Sequence, residues 1–318
     1  MRAIQLTEWG GPEVLQVREV PDPTPGPGQQ VFEVLAAGVN YADTHTTEGA
    51  YIAKQELPVI PGGEVLARDS AGRRVLGLVV TGGYAERIAF APEKMIPVPD
   101  EVSDAEALAC LVQGATAWHM LRSCAHLQPG ETVVVNAAAG GVGTMAVQLA
   151  KHWGAGRVIA TASTPEKRQL ALDLGADVAI DYTTDDDLTA ALRDANNGKK
   201  VDVVLDATGG PVFDQSLAAL APLGRLVLIG ISGHTPATPI EPGWLLSHSV
   251  AVIGLWLFRG IDRPGMLSTA VSEMLELVAT GKIKAVIGGT YPLERAADAH
   301  HALRDRASVG KLVLDLKA

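Results

Sequence analysis

Residues 136–143 read NAAAGGVG and follow the run ETVVV at 131–135. Three consecutive valines bounded by small residues read as a short buried strand, predicted over 132–136. After the glycines, Val142, Met145, Ala146, Leu149, Ala150 and Trp153 recur at i, i+3, i+4, i+7, i+8 and i+11, the stripe of an amphipathic helix predicted over 141–153. The glycines therefore occupy a strand-to-helix turn. A dinucleotide fingerprint, G-x-G-x-x-G, needs a tight turn, a point where backbone approaches a pyrophosphate, and a close helix–strand contact. The register Ala138-Ala139-Gly140-Gly141-Val142-Gly143 fits it with alanine in the first place. Helix-start N–H groups and the positive helix end would then face the pyrophosphate. Ala138, Gly140, Gly141, Val142 and Gly143 are the predicted cradle.

The same strand–helix rhythm continues at 157–161, 165–174, 201–206, 213–220 and 225–230, which predicts a doubly wound parallel sheet of Rossmann type over 113–261. Upstream, short β-like runs at 2–6, 31–36 and 87–90 are separated by dense Pro/Gly punctuation such as PDPTPGPG at 21–28. Uneven strands with turn signals predict a mostly antiparallel unit. A strand at 250–255, a helix at 264–280, a strand near 285–291, a helix from 293 and a strand at 311–316 complete the chain. The expected domains are 1–112 with 262–318, and 113–261.

Which dinucleotide binds depends on the end of the second strand. An acid there bonds the ribose 2′-hydroxyl of NAD, whereas a 2′-phosphate needs donors and positive charge. The strand ends Ile159-Ala160-Thr161-Ala162-Ser163-Thr164 with no acid, and Lys167 and Arg168 follow in the next helix. Tyr182 lies past the third strand. Ser163, Lys167 and Tyr182 predict NADPH. The same residues also make an ordinary helix start, with a cap at Ser163 or Thr164 and Pro165 at N1, which suits either cofactor.

Composition limits the partners. The 318 residues are 47% apolar and 19% charged, with 36 acidic against 26 basic side chains and a net charge of −10. This chain is long for one core, and no Lys/Arg run could track a nucleic-acid backbone. The N-terminal stretch lacks a signal-peptide pattern, and the most apolar segment, 249–258, is far shorter than the roughly 20 residues of a membrane helix. With only Cys110 and Cys124 there is no disulfide framework, so a cytoplasmic protein is expected.

With the glycine turn in place, the chain resembles the medium-chain dehydrogenase/reductase superfamily, specifically its zinc-independent quinone oxidoreductase (zeta-crystallin-like) branch. The matching stretches are PGPGQQVFEVLAAGVNYAD (25–43), GGYAERIAF (82–90), QGATAWHML (113–121), AAAGGVG (137–143), VDVVLDATGG (201–210), GRLVLIG (224–230) and VGKLVL (309–314). The resemblance implies a GroES-like, mostly antiparallel substrate domain, a Rossmann domain and a cleft between them. It also implies no metal. Zinc enzymes of the superfamily have a cysteine where this chain has Asn40 and a histidine where it has Gly63 before Glu64, and two cysteines cannot build a four-cysteine zinc lobe. The adjacent His300 and His301 diverge by about 100° on a helix and are expected as a surface pair.

Without a metal to polarise a carbonyl, the natural reaction is hydride delivery to an electron-poor π system, a quinone or α,β-unsaturated carbonyl. By resemblance, Asn40 and Asp43 line the nicotinamide side, while Thr116 and the strand end carrying Ile229 and Gly230 lie beside the cofactor. Tyr51 matches a tyrosine close to substrate, either a proton donor or a rim residue that packs there; Asn40 is either a nicotinamide contact or a turn residue. Trp256 and Phe258 shape either the acceptor pocket or a subunit edge. The alternatives are an enoyl-thioester reductase and a non-catalytic NADPH-binding protein. A homodimer is expected through the strand at 250–255, which would otherwise leave an apolar edge open.

Overall fold

The strand Thr132–Val135 is buried along its whole length. In the computed structural model of the protein, which describes residues 1–183, 187–261 and 263–317, it lies inside a parallel sheet. The order across that sheet is Val178–Ile180, Arg157–Thr161, Thr132–Val135, Val201–Asp206, Leu220–Leu228 and Ala251–Gly254. All five neighbouring pairs are parallel. In chain order this is 3-2-1-4-5-6, so the direction of winding reverses between Thr132–Val135 and Val201–Asp206. Ligands of such sheets bind outside the carboxyl ends of the strands at that point.

The helix Gly141–His152 follows the predicted stripe: Met145, Ala146, Leu149 and Ala150 are buried, and Trp153 is its C-cap. The helix expected at 213–220 spans Gly210–Ala218 instead, because Pro211 pre-sets its first turn. Helices at Leu188–Ala195 and Pro242–His248 went unpredicted, as did the helical stretch from Asp104 to Cys124. That last stretch contains two π-helical turns, Cys110–Gly114 and Met120–Cys124.

The chain divides into two compact units, one of Met1–Gln113 with Leu267–Gly281 and Ala285–Ala318, the other of Gly114–Met266 with Lys282–Lys284. The domain line expected between 261 and 262 falls beside Asp262, outside the described residues. The first unit holds a seven-stranded sheet. Its order is Ile287–Pro292, Lys311–Asp315, Gln30–Val39, Glu64–Arg68, Arg74–Leu78 and Ile96–Pro97, with Arg87–Phe90 also paired to Gln30–Val39. Every pair is antiparallel except Ile287–Pro292 with Lys311–Asp315. Its core gathers Ile4, Leu6, Phe32, Val65, Tyr84 and Leu314 against the helix Ala296–Arg304.

Candidate active site

The glycine turn is built by close approach. Gly140 takes extended backbone as N-cap of the helix Gly141–His152, and Ala138 N–H reaches across to the Thr161 carbonyl at 3.0 Å. Ala137 has a positive φ of 52° and accepts from Gly140 N–H at 3.0 Å. A Cβ on Gly143 would strike the Ala137 carbonyl oxygen and come within 2.7 Å of Ala138 Cα, so only glycine lets the helix start so near the turn. The first-turn N–H groups of a helix have no intrahelical partner and serve an anion. The buried Ala138 tolerates the first fingerprint place because the positive φ falls on Ala137, one residue earlier.

At the neighbouring strand ends, Ile180 pairs with Thr161. Tyr182 and Ser163 therefore each stand two residues past the last pair. Thr164 caps the helix Pro165–Asp173, its hydroxyl accepting from Lys167 N–H at 3.3 Å. Arg168 is committed elsewhere: its guanidinium donates to Asp181 at 2.6 Å and to the Ala162 carbonyl at 3.3 Å. Thr183 and Arg168 together hold the Asp181 carboxyl below the usual range. The strand end offers no acid to a ribose, and Lys167 is half-buried beside it. These residues fit a dinucleotide with a 2′-phosphate.

Sequence reading missed a buried polar cluster at the reversal point of the sheet. Asn136 Nδ2 donates to Asp206 Oδ1 at 3.2 Å and to Ser216 Oγ at 3.0 Å, and its Oδ1 accepts from the Thr161 hydroxyl at 3.0 Å. Asp206 also accepts from the N–H groups of Thr208 and Gly209, both at 3.0 Å. Burial raises its pKa, and these backbone donors oppose the rise. The Asp206 carbonyl accepts from Ile229 N–H at 2.9 Å, which ties the predicted Ile229 and Gly230 to the same strand ends. Thr116 is buried in the short helix Ala115–His119. The available signal was an acid closing the apolar run of VDVVLD.

In the first unit, register brings the predicted Asn40 and Asp43 into a second buried cluster. Leu312 lies opposite Val39, so Lys311 is opposite Asn40. Val65 lies opposite Ala37, so Glu64 is opposite Gly38. Lys311 and Glu64 are wholly buried and form an ion pair over Gly38, whose Cβ would come within 2.6 Å of Lys311 Nζ. Asn40 joins both partners: Nδ2 donates to Glu64 Oε1 at 2.6 Å, and Oδ1 accepts from Lys311 Nζ at 3.1 Å. Gln113 Nε2 also donates to Asn40 Oδ1, at 3.4 Å. Val112 N–H donates to Glu64 Oε2 at 3.2 Å. Asn40 is thus both a helix N-cap and a fixed amide. Its N–H donates to Asp43 Oδ2 at 2.8 Å.

Burial, reinforced by the Glu64 charge, pushes the Asp43 carboxyl up to about 7, against the pull of the Asn40 N–H. Tyr84 donates to Asp43 Oδ2 at 3.4 Å, and its hydroxyl lies 3.1 Å from His300 Nε2. His300 therefore corrects the expected surface pair: it is fully buried, and only His301 is exposed. The helix Ala296–Arg304 turns one histidine inward onto Tyr84 and its neighbour outward. Burial lowers the His300 pKa to about 3, so it is neutral. Tyr51 lies in the irregular stretch after the helix Tyr41–Thr47, half-buried. Trp256 and Phe258 are half-buried with ring centroids 6.4 Å apart. Among the described residues no group of three or more His, Cys, Asp or Glu could hold a metal ion.

Comparison with known proteins adds three findings. The family described as zinc-binding dehydrogenase matches residues 141–280, a span that excludes Asn40 and Gly63. A quinone oxidoreductase of Pseudomonas aeruginosa is 34% identical over 98% of this chain and 99% of its own. Two solved structures cover 99% of this chain and all of theirs. One is the quinone oxidoreductase of Thermus thermophilus, solved also in complex with NADPH, at 38% identity and TM-score 0.88. The other is that of Escherichia coli complexed with NADPH, at 32% identity and TM-score 0.91.

Proposed function

Because the chain belongs to the zinc-independent quinone oxidoreductase branch of the medium-chain dehydrogenase/reductase superfamily, we propose which residues carry its reaction. It is an NADPH-dependent oxidoreductase that reduces quinones. Bound NADPH supplies the hydride. The turn at Ala138–Gly143 holds the pyrophosphate, and Ser163, Lys167 and Tyr182 hold the 2′-phosphate. Thr116, Ile229 and Gly230 flank the cofactor. Asn40, its amide fixed by Glu64 and Lys311, turns its second amide hydrogen to the acceptor's carbonyl oxygen, where negative charge develops on reduction. Asp43, half-protonated near neutrality, supports Asn40 through the backbone N–H. Tyr51 provides the proton that a reduced enone requires.

The observation that carries the reading is the glycine turn next to a strand end with no acid and with Lys167 at hand. Its test is NADPH and NADH consumption, side by side, with quinones, short enones and enoyl-CoA esters. Quinone reduction preferring NADPH is expected; turnover confined to enoyl-CoA esters would replace it with thioester reduction. Tyr51→Phe should slow enone turnover by about 10²-fold or more and quinone turnover less, because hydroquinone oxygens take protons from water. Equal, near-wild-type rates for both would leave Tyr51 a packing residue. We further propose that the chain is a homodimer paired through the edge strand Ala251–Gly254. Its two free cysteines suit a reducing cytoplasm, and no helix among the described residues is long and apolar enough to cross a membrane.

A further inference from the structure

Gln113, hydrogen-bonded to Asn40, carries an unused acceptor. Its side chain is 7% exposed, its Nε2 donates to Asn40 Oδ1 at 3.4 Å, and its buried Oε1 has no hydrogen-bond partner. Native proteins seldom leave a buried carbonyl oxygen unsatisfied, and an orphan acceptor points to a missing donor. Gln113 also lies in the π-helical turn Cys110–Gly114, a rare conformation that concentrates at functional sites. That turn is anchored to the same cluster by Val112 N–H on Glu64.

The chemistry of the acceptor identifies the donor. A quinone oxygen only accepts hydrogen bonds. When a hydride and a proton add to a quinone, NADPH becomes NADP⁺ and both carbonyl oxygens become hydroxyls, each with an O–H to donate. Around Asn40, Lys311 and the Asn40 amide nitrogen supply donors, and Gln113 supplies an acceptor. We infer that Gln113 is a product-contacting residue whose Oε1 accepts the O–H of the hydroquinone. The inference rests on the quinone reading above. It makes Gln113 a determinant of how firmly product is held, separate from the capture of quinone.

Binding of trimethylhydroquinone and of trimethylquinone to the NADP⁺-loaded protein, measured anaerobically by calorimetry, tests this without turnover. Gln113→Met keeps the length and removes the acceptor; it should weaken the hydroquinone about tenfold and leave the quinone within about twofold. Gln113→Glu, neutral when buried, retains a carbonyl acceptor and an O–H for Asn40, and should hold the hydroquinone within about threefold of wild type. NADPH titration by fluorescence, unchanged in both variants, establishes that they fold. Equal weakening of both ligands by Gln113→Met, or no weakening of either because Oε1 meets only a buried water, would overturn the assignment. A wild type that binds NADPH but neither trimethyl compound would bring down the quinone reading itself, and the role of Gln113 with it.

Discussion

Lys167 and Arg168 are adjacent basic residues in one helical turn. Arg168 is ion-paired with Asp181, and we propose that Lys167, in the first turn of the helix Pro165–Asp173 beside the second strand's end, chooses the cofactor. A charge-assisted bond to a phosphate contributes about 1.5–3 kcal/mol. Lys167→Glu should weaken NADPH about ten- to a hundredfold and leave NADH within a few-fold, while Arg168→Met should leave both nearly unchanged; nicotinamide fluorescence titration reads all four constants. His300 gives a pH prediction. Its folded pKa of about 3 lies below the ordinary 6.5. The stability it contributes is therefore complete above 6.5 and is lost as pH falls towards 3. Going from about pH 7 to pH 4, denaturant titrations should show His300→Gln gaining on wild type by a few kcal/mol. Glycine spacing pointed to the cradle, and the family resemblance, not spacing, pointed to Asn40 and Asp43. Glu64, Lys311, Asp206 and Gln113 were not legible in the sequence, because their meaning comes from partners brought near by register: Lys311 meets Glu64 across 247 residues.

Strands and helices with clear periodicity were read well, and irregular ones poorly. The helix Gly141–His152 and the strand Arg157–Thr161 came directly from apolar spacing. The stretch from Asp104 to Cys124 did not, because it alternates α-helical with π-helical turns, and a widened turn shifts any 3.6-residue pattern. The same sensitivity to backbone detail predicts a distinct phenotype for the glycine turn. Gly143→Ala forces the helix start away from Ala137 and Ala138, and the N–H groups proposed to face the pyrophosphate move with it. Both dinucleotides share that pyrophosphate. Their affinities should fall together, by about tenfold or more, in contrast to the selective loss with Lys167→Glu. Parallel titrations of the two variants separate the effects.

At the scale of the whole molecule, the edge strand Ala251–Gly254 pairs on one side only. Two bulky leucines near it face solvent, Leu246 at 81% exposure and Leu223 at 79%, and Leu223 N–H bonds the Ser249 carbonyl just before the strand. An open edge with apolar flanks favours a second copy. Light scattering at micromolar concentration should find a dimer, and Leu223→Glu with Leu246→Glu should yield monomers that still bind NADPH. Wild-type monomers would remove the proposal. The buried Lys311–Glu64 pair has a further consequence, for biosynthesis. Gln30–Val39 and Glu64–Arg68 leave the ribosome early, yet the strand Lys311–Asp315 that completes their sheet is made some 240 residues later, a delay of about 12–50 s at ordinary synthesis rates. Throughout that interval burying Glu64 would leave it without its cationic partner, at a cost of about 3–5 kcal/mol, or require it to take up a proton. The first unit is therefore expected to close last, while the intervening dinucleotide-binding segment, almost continuous in sequence, is free to fold ahead of it.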